Sequence, residues 1–111
     1  MKDEGLYLEH IDRCISRLEQ IHADGRAAYE QDWRIQDAAY RELQTMSEAT
    51  QRLSDTLKNR YPNIPWRKII GMRNVLTHGY LSGPDDDIVW RVIEDDLKPL
   101  KQCVSAELRP A

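Results

Sequence analysis

The sequence predicts an all-α fold, an antiparallel bundle of helices. Apolar residues recur every three or four positions in four separate stretches. Gly, Pro and Asp clusters punctuate the gaps between those stretches. No stretch shows the two-residue alternation of a half-buried strand, and no internal repeat or low-complexity tract is present.

The first helix is expected from about Glu4 to Ala23, where Leu8, Ile11, Ile15, Leu18 and Ile21 make one apolar stripe. Asp24-Gly25 stops it, and a polar connection containing Tyr29 leads to about Gln31. Asp32 is an N-cap for a second helix running to about Arg60. Its stripe is Ile35, Ala39, Leu43, Met46, Thr50, Leu53 and Leu57. A helix of that length spans roughly 40 Å, which is long for a small domain. Part of it is therefore expected outside the monomer's core or against a second subunit.

Tyr61-Pro62-Asn63-Ile64-Pro65 is a firm break, because Pro disfavours helix at its own position and at the one before. Pro65 suits the first turn of a third helix, expected from Pro65 to His78 with Gly79 as its stop. Gly71 inside it lowers helicity by about 1 kcal/mol relative to Ala, and such a Gly often marks close approach of another helix. Leu81-Ser82-Gly83-Pro84 is a loop, and Asp85-Asp86-Asp87 opens the fourth helix at its positive dipole end. A carboxylate metal site is the alternative for this triplet. Capping is favoured because three consecutive helical residues point in different directions. Val89, Ile93, Leu97, Leu100, Val104 and Leu108 form the last stripe, and Pro99 is expected to bend or restart that helix.

The 111 residues suffice for a single domain, 1–111, with one core. Phe is absent, so the aromatic core must come from three Trp and five Tyr. No apolar run approaches the ~20 residues needed to cross a bilayer. The charged start Met1-Lys2-Asp3-Glu4 does not resemble a signal peptide, so a cytoplasmic location is expected. Cys14 and Cys103 both fall at core-facing positions. A disulfide or redox pair is one possibility; two buried small hydrophobes in a reducing compartment is the favoured one. No Cys/His cluster suggests a metal.

Arg73-Asn74-Val75-Leu76-Thr77-His78-Gly79-Tyr80 carries the densest chemistry in the chain. Helical spacing aligns Asn74 with His78, and Arg73 with Tyr80 if the helix persists that far. Arg73 and His78 lie on neighbouring faces, within reach of one phosphate. His titrates near neutral pH and can take a proton from a ribose 2′-OH or give one to a departing 5′-oxygen. Arg holds a phosphate and its developing charge bidentately. Asn74 can orient the imidazole or the substrate, and Tyr80 can stack on a base or hydrogen-bond a phosphate. Together these groups can cut RNA without a metal and leave a 2′,3′-cyclic phosphate. The plainer alternative is a His that merely meets the helix dipole and an Arg at the surface.

Charge distribution bears on the choice. The net charge is −3, yet from Thr56 to Pro84 there are five bases (Lys58, Arg60, Arg67, Lys68, Arg73) and no acid. Such a stretch can attract a phosphate backbone locally; otherwise it is a solvated helix end.

The motif resembles the R-x4-H-x-Y motif of the HEPN superfamily, in particular its HepT-like branch. Residues Tyr61 to Met72, Ser47 to Asp55 and Asp85 to Leu100 are similar to the same branch, so the resemblance covers nearly the whole chain. It implies a four-to-five-helix HEPN bundle, a homodimer with two motifs facing one cleft. It also implies a metal-independent endoribonuclease toxin in which Arg73 and His78 are catalytic. The implied partner is an MntA-type nucleotidyltransferase antitoxin that transfers AMP to Tyr80, setting bulk and negative charge beside Arg73 and His78. Glu48 maps to a polar position of the second helix and is carried as a residue behind the site. Thr77 and Gly79 depart from many relatives, which have an apolar residue before the His and an acidic one after it, so RNA preference does not transfer. Two alternatives stand beside the toxin: a non-catalytic binding or regulatory subunit of a nucleotidyltransferase, and a structural dimerising bundle without a ligand.

Overall fold

A computed structural model describes residues 4–78 and 85–109, with the backbone alone at 73, 75, 77 and 78. All regular structure among the described residues is helical. Helix α1 spans Glu4–Asp24 and buries Leu8, Ile11, Cys14, Ile15 and Leu18; Ile21, the last residue of the expected stripe, is half-buried. Gly25 ends it with φ of 96°, a conformation that favours glycine, and its amide bonds the His22 carbonyl at 3.1 Å.

The stretch expected as a polar connection is instead a short helix, α2, Arg26–Gln31. Only one of its side chains is buried, Tyr29, at 1% exposure. Its phenol donates to Asp86 Oδ1 at 2.9 Å and its ring lies 5.6 Å from that of Trp90. His22 stacks on the same indole at 5.3 Å. Tertiary contacts with Asp86 and Trp90 therefore hold α2; it has no stripe of its own.

Helix α3, Trp33–Gln51, starts as expected: the Asp32 side chain accepts from the Arg34 amide. It does not run on to Arg60. The chain leaves the helix at Arg52 to Ser54 and re-enters in α4, Asp55–Asn59. Ser54 caps α4 by accepting from Leu57 N at 3.1 Å. The Glu4 carboxylate in turn accepts from the Ser54 amide (2.6 Å) and hydroxyl (3.1 Å). A carboxylate 50 residues away thus satisfies the groups that a helix break exposes. The roughly 40 Å helix is not formed, and the surplus length that favoured a second subunit disappears with it. Leu53 and Leu57 stay in the core across the break.

Helix α5 spans Trp66–His78. The Trp66 indole donates to the carbonyls of Lys58 (3.1 Å) and Tyr61 (3.0 Å), stapling the start of α5 to the end of α4. Gly71 does not mark a close approach within the chain: a methyl built there meets no atom of the described residues within 4 Å.

Helix α6, Asp86–Arg91, is capped by Asp85, whose carboxylate accepts from the amides of Asp87 (2.9 Å) and Ile88 (3.3 Å). Asp86 receives the Tyr29 hydroxyl and Asp87 pairs with Arg26. The acidic triplet is thus engaged as cap and partners; no group of three metal-ligating side chains gathers among the described residues. A π-turn, Val92–Asp96, follows, and α7 runs Leu97–Leu108. The widened turn lies directly before Pro99, where the ring of a proline would press on the carbonyl four residues back. The expected bend is met by widening; the helix does not stop.

Helices α3 and α7 pack on α1, and α5 packs on the far side of α3. The core between them holds Leu18, Leu43, Met46, Leu76, Leu100 and Val104, all at 1% exposure or less. Cys14 and Cys103 are free and buried, and burial pushes each thiol up to about 11. They are core residues with no disulfide. No helix among the described residues is long and apolar enough to cross a membrane.

Candidate active site on helix α5

Positions 73, 74 and 78 all belong to α5, so its placement sets the site. Ile69, Met72 and Leu76 are buried and form the stripe that faces α3. Asn74 is exposed. Helical periodicity sets positions 74 and 78 on the face opposite that stripe, and 73 at its flank. Glu48 is half-buried on α3, immediately after Ser47. Tyr80 lies outside the described residues, as do the side chains of Arg73 and His78.

Two side chains that sequence reasoning did not single out tie α5 to α3. Ser47 Oγ donates to the Ile70 carbonyl at 2.9 Å, and Tyr40 Oη donates to the Leu76 carbonyl at 2.9 Å. Leu76 lies in the last described turn of α5. The signal was present in the spacing: Tyr40 and Ser47 are seven residues apart, on one face of α3.

The basic stretch is less available than its composition suggests. Arg60 pairs with Glu107 at 2.7 Å and Lys68 with Asp96 at 2.9 Å. The Asp96 Oδ2 atom is shielded from solvent, and the Lys68 ammonium meets it as an ion pair without the alignment of a directed hydrogen bond. Glu107 also accepts from the Tyr61 hydroxyl at 2.6 Å. That bond, and then Arg60, hold its carboxyl below the usual range, against the opposing effect of burial. Lys58 reaches the Gln51 carbonyl at 3.5 Å. Arg67 is exposed and has no ionic partner among the described residues.

Two grooves lie away from α5. One, about 580 Å³, surrounds Trp33 between Ala28 and Ile35; Trp33 is 67% exposed. The other, about 550 Å³, lies along α7 between Glu19 and Arg109 and includes Lys98 and Lys101. Lys101 is held by Glu19 at 2.9 Å. Neither groove is lined by the motif.

Comparison with known proteins gives the helix a context. The family model "Ribonuclease HepT-like" matches residues 11–107. A Methanocaldococcus jannaschii protein named "Putative RNase MJ1380" is 31% identical over 61% of this chain and 62% of its own length. A Thermococcus cleftensis protein named "Probable ribonuclease HepT" is 32% identical over 86% of each chain. The "mRNA nuclease HepT" of Shewanella oneidensis is 28% identical over 85% of this chain and 87% of its own. No solved structure matches at a significant level. With a family match over most of its length and an all-helical fold, the chain belongs to the ribonuclease HepT-like family.

Proposed function

We propose that the chain is a metal-independent endoribonuclease, the toxin of a toxin–antitoxin pair, with Arg73 and His78 as catalytic residues. The observation that carries this is the intact R-x4-H-x-Y motif, with positions 73 and 78 on α5, in a ribonuclease-family chain. The exposure of Asn74 on α5 supports it. In the proposed reaction the ribose 2′-oxygen attacks phosphorus and the P–O5′ bond breaks. His78 takes the 2′ proton or delivers one to the leaving 5′-oxygen, and Arg73 stabilises the charge that builds on the phosphoryl oxygens. The products are a 2′,3′-cyclic phosphate and a 5′-hydroxyl. Asn74 orients the imidazole or the substrate, Tyr80 holds the RNA, and Glu48 supports them from α3. Two copies form the active dimer, and the whole of 1–111 acts as one HEPN domain.

The same proposal includes the off-switch. An MntA-like nucleotidyltransferase transfers AMP from ATP to the Tyr80 hydroxyl, which attacks the α-phosphorus as pyrophosphate leaves. The added phosphate competes with RNA for Arg73 and His78. The test is cleavage of tRNA and mRNA by purified protein, before and after incubation with the partner and ATP. His78→Ala is expected to abolish cleavage, and the adduct is expected to map to Tyr80. Intact RNAs, or equal cutting by His78→Ala, would sink the nuclease proposal. Stable co-purification with the nucleotidyltransferase without any cleavage would instead identify a binding subunit.

A further inference from the structure

We propose that Tyr40 is a positioning residue for the turn of α5 that carries His78; this rests on the ribonuclease reading above. A directed hydrogen bond from a neighbouring helix fixes the position of a helical turn more narrowly than apolar contact does. Catalysis by a proton-transferring side chain tolerates little looseness, and a displacement near 1 Å costs about 100-fold. The Leu76 carbonyl lies in the last described turn of α5. That carbonyl lies two residues before His78, and the Tyr40 hydroxyl donates to it at 2.9 Å.

The bond comes from a firm base. Tyr40 sits between buried Ala39 and Leu43 on α3, and its own ring is half-buried. Leu76 is 1% exposed, so its side chain anchors the same turn from the other side. Ser47, 1% exposed, makes the companion bond to the Ile70 carbonyl. The pairs 40 with 76 and 47 with 70 run antiparallel, as the packing of α3 on α5 requires. Two directed bonds to backbone acceptors fix the axial register of α5 in a way that apolar contact alone does not. Ser47 fixes the middle of the helix; Tyr40 fixes the end where the motif lies.

Tyr40→Phe removes one oxygen and keeps the ring. We compare it with wild type and Ser47→Ala by steady-state cleavage of an RNA oligonucleotide and by hydrogen exchange of α5 amides. Expected for Tyr40→Phe is a kcat lower by about 10- to 100-fold, with KM unchanged and faster exchange confined to residues 73–78. Unchanged kcat and exchange would overturn the inference. So would a kcat loss that tracks Tm equally in Tyr40→Phe and Ser47→Ala, since that marks general loosening. If wild-type protein does not cut RNA, the ribonuclease reading fails on its own. The exchange pattern then still decides whether Tyr40 holds the last turn.

Discussion

Gly71→Ala separates the monomer's needs from those of any partner. Gly71 sits inside α5 without positive φ, and an added methyl meets no described atom within 4 Å. The substitution therefore introduces no clash and no backbone strain. It restores the helix propensity that Gly forfeits, about 0.8–1.0 kcal/mol, chiefly by restricting the unfolded chain. For a domain of this size that corresponds to a rise in Tm of roughly 3–6 °C. Thermal unfolding followed by circular dichroism, at low and high protein concentration, measures it. A fall in Tm at low concentration would refute the reasoning, because the isolated chain would then have no room at this position. A rise at low concentration that reverses at high concentration would show that a second copy seats its backbone against Gly71.

Two further predictions follow from titratable groups. Glu107 has a lowered folded pKa, so its stabilisation is complete above its unfolded value of about 4.3 and is lost as pH falls through the folded value. Glu107→Gln is expected to be less stable than wild type at pH 7, with the gap closing in acid; a pH-independent gap in urea titrations would contradict this. Cys14 and Cys103, raised to about 11 by burial, are expected to resist alkylation at pH 8 in native protein and to react fully in denaturant. Mass spectrometry after a timed pulse of iodoacetamide reads the result, and rapid native labelling of either thiol would contradict the packing.

The sequence was most legible where a stripe and a stop signal agreed. Leu8 to Leu18, Ala39 to Met46 and Leu97 to Val104 are buried as their spacing predicts. The break at Ser54 was missed because Leu53 and Leu57 keep the phase of the preceding stripe with no Gly or Pro between them. Ser54-Asp55 carried a capping signal, but the carboxylate that stabilises the break comes from Glu4, beyond any local window. Helix α2 was missed for a similar reason, since Tyr29 gains its burial from Trp90. At the site, the motif gave candidate positions, of which 73, 74 and 78 lie on α5. It said nothing of Tyr40 and Ser47, whose contribution is a bond to another helix's backbone. It also overstated free basic charge, because Glu107 and Asp96, far along the chain, take up Arg60 and Lys68.

The π-turn at Val92–Asp96 gives the last helix an unequal tolerance to changes in length. In a regular α-helix, one residue added or lost rotates everything downstream by about 100°. Here that rotation would carry Leu100, Cys103 and Val104 out of the core. A widened turn holds an extra residue while leaving the helices on either side in line. A single deletion within it is therefore expected to keep α7 in phase with α1 but to press the Pro99 ring on the carbonyl four residues back, whereas the same deletion a turn later unseats α7 from α1.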